Sequence, residues 1–233
     1  MTSTRLPGKV MMQVQGKSLL EHHLERVRRA RLVDETVVAT TTRQTDDPIV
    51  ELCRRLDVPW VRGSESDVLS RYMLAARGHN AEAVVRVTSD CPLIDPEIMD
   101  RTIQAFLDGQ PNVDYASNRL TPSFPRGLDT EVLSMSALES ADREGTLPSD
   151  REHVTYFVWR QPERFRLVNV ASPRDLSAHR WTVDTVEDLT LVKHLIDSVY
   201  PTRPEFTLAD CLSAIERNPS WTQINAHVEQ KAP

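Results

Sequence analysis

Three stretches of this 233-residue chain carry side chains of the kinds that handle phosphate and metal ions. Ser3-Thr4-Arg5-Leu6-Pro7-Gly8-Lys9 sets two fixed cations, Arg5 and Lys9, around a glycine. A polyphosphate asks for backbone N–H groups and permanent positive charge, and this loop offers both. Gly8 lets the backbone approach a ligand closely, and Pro7 stiffens the turn. The GxxxxGK[ST] spacing is absent, which excludes a Walker loop, and a polar chain start would read the same way. Asp90 follows the β-branched run Ala83–Thr88, at the carboxyl edge of a sheet, where α/β folds bind ligands. A carboxylate there suits a hard cation such as Mg2+, although Asp90 serves equally as a turn cap before Pro92. Asp184, after Trp181–Val183, is a second candidate carboxylate. Thr185 and Asp188 read as a capping pair and are left structural. Two such carboxylates meeting on one cation beside phosphate would make a Mg2+ site, but their spacing leaves the meeting open.

Two further stretches suit a sugar. In Phe124-Pro-Arg-Gly-Leu-Asp-Thr-Glu131, Asp129 and Glu131 alternate along a strand edge with Arg126 beside them. Carboxylates at such an edge read hydroxyl groups, and a solvated turn is the competing account. In Asp150-Arg-Glu-His153, Glu152 reads as a cap partner, which leaves Arg151 and His153 at a helix start. Arg151 suits a sugar carboxylate, or else a solvent-facing helix turn.

The elements that must position these residues alternate. Ser18 and Glu21 form a capping box for a helix to about Ala30, and Thr36–Thr41 reads as a short buried strand. Pro48–Leu56 is helical with proline in its first turn, Pro59–Arg62 a strand, Asp67–Arg77 a helix. Ala83–Thr88 reads as a buried strand and Pro96–Leu107 as a helix. Strand–helix alternation implies parallel pairing with helices on both faces. Beyond that, Asp114–Asn118 and Thr130–Ser134 read as strands, and Ser136–Arg143 as a helix. Ser149 and Glu152 are expected to cap one helix running to Trp159, with Arg166–Val170 an exposed strand and Trp181–Val183 a buried one. Helices over Thr185–Ser198 and Leu208–Asn218 close the chain. Doubly wound sheets usually begin with a buried strand before the phosphate loop. Here the chain begins with the loop, and the expectation is that translation starts upstream of Met1.

Composition narrows the class. A net charge of −6 argues against broad nucleic-acid binding, so a site for a polyanion must be a local concentration of cations. Of four lysines, two lie in the first seventeen residues, near Arg5. No apolar run approaches the roughly 20 residues of a membrane span, and no secretory signal is readable. Cys53, Cys91 and Cys211 show no metal or disulfide spacing and read as reduced thiols of a cytoplasmic protein. Residues 1–233 are expected to form a single α/β domain.

The chain resembles the cytidylyltransferases that activate sugar acids. Spore coat polysaccharide biosynthesis protein F is the best-matching subgroup, with the acylneuraminate and 3-deoxy-manno-octulosonate cytidylyltransferases related to it. The resemblance runs through STRLPGK, TDDPI at 45–49, GSESDVLSRY at 63–72, VRVTSDCPLIDP at 85–96, FPRGLDTEV, DREHVT and RWTVDTVEDL, in the family's order. It implies an α/β, GT-A-like nucleotide-diphospho-sugar transferase fold, with a mostly parallel mixed sheet and helices on both faces. It implies CTP and a sugar or sugar acid as substrates, and Mg2+ on Asp90 and Asp184. Arg5, Lys9 and Asp90 would be catalytic. Ser3, Arg5, Gly8, Lys9 and Ser89 would bind the nucleotide, and Arg126, Asp129, Glu131, Arg151 and His153 the sugar. Gly63, Ser64 and Asp67 would lie close to either substrate. No membrane or nucleic-acid partner is implied, and a homodimer is a possibility. The chain departs from the family at its beginning, where a first strand and a glutamine-alanine-arginine-like segment are missing. A GT-A glycosyltransferase, a guanylyltransferase on the same scaffold, and an inactive truncated homologue remain the alternatives.

Overall fold

The structure is a computed structural model describing Ser3 and residues 5–230; the chain start at Met1 and Thr4 of the first loop lie outside the described residues. Lys9–Met11 form a 3-10 turn, and β1 (Gln13–Val14) and β2 (Lys17–Ser18) an antiparallel hairpin. α1 (Leu19–Val27) begins on Ser18, whose Oγ accepts from the Glu21 N–H at 3.1 Å. The Glu21 carboxylate does not close the capping box, because the Arg55 guanidinium takes it at 2.7 and 3.2 Å. β3 (Val38–Thr41) pairs in parallel with β4 (Trp60–Gly63) across α2 (Asp47–Leu56). α3 (Val68–Gly78) leads to β5 (Ala83–Arg86) and α4 (Pro96–Asp108). There follow β6 (Tyr115–Ser117), β7 (Glu131–Ser134), α5 (Met135–Glu144), α6 (Pro148–His153), α7 (Tyr156–Trp159) and β8 (Leu167–Asn169). α8 (Val186–Val199) and α9 (Leu208–Arg217) close the fold.

β5, β7, β6 and β8 form one sheet in that order. β7 runs antiparallel to both β5 and β6 while β6 and β8 pair in parallel, so the sheet is mixed, and the parallel neighbour expected for β5 is replaced by the antiparallel β7. The two-residue side-chain period of β7 serves two layers. Val132, with Ala116, packs on Ile103 and Phe106 of α4. Leu133, with Tyr115, packs on α3 and on Ala137 and Leu138 of α5. Helices therefore cover both faces.

β5 and β3 are half-buried rather than buried, apart from Thr40. Among the described residues the β3–β4 pair shares no hydrogen bonds with the larger sheet, so each of these strands has a neighbour on one edge only. The single helix expected to run to Trp159 is broken. Val154 is fully buried with φ 59° and ψ −59°, and the next residue, Thr155, donates its hydroxyl to Glu131 Oε1 at 2.6 Å. The cap also differs: Asp150, not Glu152, closes the first turn by accepting from the Leu147 N–H at 3.1 Å. Trp181–Val183 is buried as expected but is not a strand of the sheet. Its backbone bonds go instead to the loop around Arg126 and to Asp90. Among the described residues no helix is long and apolar enough to cross a membrane, and the three cysteines are buried and unpaired.

Candidate functional site

Asp90 lies on the turn that follows β5, and Asp184 lies just before α8. One backbone hydrogen bond joins their segments: the Val183 N–H donates to the Asp90 carbonyl at 2.8 Å. That bond brings together two carboxylates 94 positions apart in the chain. The Lys9 ammonium sits between them, donating to Asp90 Oδ2 at 2.8 Å and Asp184 Oδ1 at 2.7 Å. Arg5 Nη2 is 3.0 Å from Asp184 Oδ2, and Arg180 Nη2 donates to the same oxygen at 2.8 Å.

The first loop delivers its cations by local geometry. Gly8 has φ 70° and ψ 8°, a left-handed conformation glycine adopts without strain. The chain then turns at once into Lys9–Met11, where the Met11 N–H bonds the Gly8 carbonyl at 2.9 Å. Leu6 is buried against Trp181 and Val183, which pins the loop beside Asp184. Ser3 Oγ accepts from the Leu6 N–H at 3.3 Å, a turn-stabilising bond. Ser89 is exposed on the Asp90 turn.

Around Asp184 the support is dense. Asp188 accepts from the N–H groups of Asp184 and Thr185 at 3.0 and 3.1 Å, closing the capping box. Its other oxygen takes Arg180 Nε at 2.9 Å and Asn225 Nδ2 at 2.8 Å. Burial raises the Asp184 pKa, but the hydrogen bond and charge of Lys9, with Arg180 and Arg5, outweigh it and hold the carboxyl below its usual range. Burial likewise pulls Lys9 down, and the two aspartates more than offset it, so the ammonium stays charged. The pair thus already holds a cation in a hard-oxygen cradle. Among the described residues no third His, Cys, Asp or Glu joins it as a metal ligand.

The sugar-side expectations resolve differently. Arg126 bonds Trp181 and His179 through its backbone, N–H to the His179 carbonyl at 3.0 Å and carbonyl to the Trp181 N–H at 2.7 Å. That places Arg126 and Asp129 beside the 180–184 segment. Burial pushes the Asp129 carboxyl up, against Arg119 and one hydrogen bond from the Gly127 N–H at 3.2 Å. Glu131 is 1% exposed and fully engaged. Arg86, its cross-strand partner in the β5–β7 register, donates to it, as do the Tyr115 hydroxyl at 2.5 Å and Thr155. It supports the site from behind rather than facing a ligand. Arg151 is neither solvent-facing nor free to grip a carboxylate. It forks onto Asp67 at 2.9 and 2.7 Å and reaches Asp142 at 2.9 Å, tying α6 to α3 and α5. Asp67, expected near a substrate, caps α3 by accepting from the Ser70 N–H at 2.9 Å. His153 is half-buried, and burial lowers its pKa, with Glu152, Arg86, Arg119 and Glu131 as its charged surroundings.

Sequence reasoning assigned no role to Arg180, Arg86, Arg119 or Tyr115. Arg180 carried a signal: it stands four residues before Asp184 and eight before Asp188. Arg86 carried none, because its partner follows from strand pairing.

The cytidylyltransferase family model matches residues 1–217. The solved structure of a cytidylyltransferase from Leptospira borgpetersenii serovar Hardjo-bovis is 34% identical, covering 99% of this chain and 94% of that one, with a TM-score of 0.91. Spore coat polysaccharide biosynthesis protein SpsF of Bacillus subtilis is 31% identical over 94% of this chain and 92% of its own. The 3-deoxy-manno-octulosonate cytidylyltransferase of Trichlorobacter lovleyi is 34% identical over 48% of this chain and 43% of its own. The family model, the Leptospira structure and SpsF each match nearly the whole chain, and the chain belongs to the cytidylyltransferase family.

Proposed function

We propose that the chain activates a sugar acid, or a related sugar, by transferring to it the cytidylyl group of CTP with release of pyrophosphate. In this reading Asp90 and Asp184 hold a Mg2+ ion, and the enzyme works in the cytoplasm. The observation that carries it is the meeting of those two carboxylates around the Lys9 ammonium, directly beside Arg5. The donor set fits the ion. Two carboxylate oxygens with the remaining positions left to phosphate and water is how Mg2+ is commonly held, and a cation already rests there. Bound there, Mg2+ supplies positive charge against the α-phosphate as the reaction proceeds.

The acceptor hydroxyl oxygen forms a bond to the α-phosphorus, and the bond from that phosphorus to the bridging oxygen breaks. Pyrophosphate leaves with the electron pair, and the hydroxyl proton passes to solvent. Little covalent work falls to the protein; placement and fixed charge dominate. Arg5 and Lys9 neutralise the charge that grows on pyrophosphate, and Gly8 lets the backbone come close to it. Arg180 helps keep Asp184 ionised, and Asp188 holds both the Asp184 backbone N–H and the Arg180 guanidinium in place. Arg126 and Asp129 read the acceptor, with Glu131 and Arg86 bracing that wall.

The sugar and nucleotide preference is tested by pyrophosphate release from CTP, UTP, GTP and ATP, each with 3-deoxy-manno-octulosonate, N-acetylneuraminate and neutral sugars. Release with CTP and one acceptor class, and with no other nucleotide, is the expected outcome. Release with GTP in place of CTP would move the chain to guanylyl transfer.

A further inference from the structure

The six charged side chains in direct contact at the site balance: Arg5, Lys9 and Arg180 face Asp90, Asp184 and Asp188. A divalent cation arriving alone would meet an ammonium already on both of its ligands, at 2.8 and 2.7 Å. A triphosphate arriving alone would bring several negative charges against the two carboxylates. Like charges this close in a half-buried site repel strongly, so each ligand alone is opposed. Together they remove the conflict, because the phosphates give the lysine a new partner.

We infer that Lys9 is a placeholder cation: it and the metal occupy the Asp90–Asp184 pair in turn, and the nucleotide triggers the exchange. The inference rests on the metal reading above and adds the order of events. Its physical means is the lysine side chain, a compact charge on a flexible four-carbon stem. The stem leaves the Lys9–Met11 turn directly after left-handed Gly8, so the ammonium can change partners while the backbone turn stays formed. Arg180 cannot play this part, because its fork is fixed on Asp184 and Asp188 at 2.8 and 2.9 Å. In the exchange the lysine trades two carboxylate hydrogen bonds for phosphate ones, and Asp90 and Asp184 trade an ammonium for the metal. The exchange also guards the pair against free metal ions when no substrate is present.

Mn2+ binding, followed by electron paramagnetic resonance and calorimetry without turnover, tests this. The proteins are the wild type, Lys9→Met, Lys9→Gln, and Lys9→Met combined with Asp90→Asn; melting curves confirm that each is folded. Without nucleotide, Lys9→Met and Lys9→Gln should bind Mn2+ at least roughly tenfold more tightly than wild type, and the double variant should lose that gain. A non-reactive CTP analogue should tighten Mn2+ binding to the wild type by a similar factor. Equal Mn2+ affinity in wild type and both Lys9 variants, still weakened by Asp90→Asn, would overturn the exchange and leave the metal site standing. Mn2+ binding indifferent to Asp90→Asn, with or without the analogue, would remove the metal site and the exchange together.

Discussion

A lysine held by two carboxylates in a half-buried site is stable only while all three groups stay charged. The structure meets that condition with Arg5 and Arg180, which share Asp184 and keep it ionised. A parallel arrangement lies behind the sugar-side loop. Burial raises the Glu131 pKa, yet the Arg86 charge, with Arg119 and two hydroxyl donors, brings it below the usual glutamate value. Because the folded-state value lies below the unfolded one, the Glu131 contribution is full above the ordinary glutamate pKa of about 4.3. It is lost as the solution is acidified through the folded-state value. Glu131→Gln should therefore destabilise the protein at neutral pH by on the order of 3 kcal/mol, since it strands the buried Arg86 charge. Its stability should also fall less steeply below about pH 4 than that of the wild type. Urea denaturation between pH 3 and pH 7 measures both, and parallel acid limbs for the two proteins would show that Glu131 is not the group responsible.

Between residues and the fold stands a single contact of two loops. Gly127 has φ +105°, and a Cβ there would lie 2.6 Å from the Thr182 N and 2.7 Å from the Trp181 carbonyl carbon. The backbone of 126–128 thus presses on the segment that carries Asp184. Gly127→Ala should cost on the order of 3 kcal/mol, from the disfavoured conformation and the backbone clash together. It should also lower turnover more than a mere loss of stability would at a temperature where the variant is still folded. Melting and turnover measured on the same sample would separate the two, and an unchanged melting temperature would contradict the contact. Much at this scale was legible in the chain. Pro48 and Pro96 in first turns, Asp188 as a cap and the β-branched runs are local signals, and the elements formed where they point. What was not legible depends on partners distant in sequence. Trp181–Val183 has strand composition, but its backbone bonds go to Arg126 and Asp90, so it is buried without entering the sheet. The helix break at Val154 adjoins the hydrogen bond from Thr155 to Glu131, a partner 24 residues away in sequence. The Arg151 clamp needed the packing of α3, α5 and α6 to be seen.

Over the whole molecule, the order of the sheet decides what meets at the site. β7 inserted between β5 and β6 sets Glu131 opposite Arg86, a pairing no local pattern announces. The turn after β5 and the approach to α8 are then joined by the bond from Val183 to the Asp90 carbonyl. Motif order suggested Asp90, Asp184, Arg5 and Lys9 as one site because each matched a family stretch, while their convergence required coordinates. The clearest measurement is pyrophosphate release from CTP and the preferred sugar, in Mg2+, by the wild type, Asp90→Asn and Asp184→Asn. The account predicts that each substitution lowers turnover by on the order of 10²-fold or more while the protein remains folded. Turnover within a few-fold of wild type in both variants would contradict it.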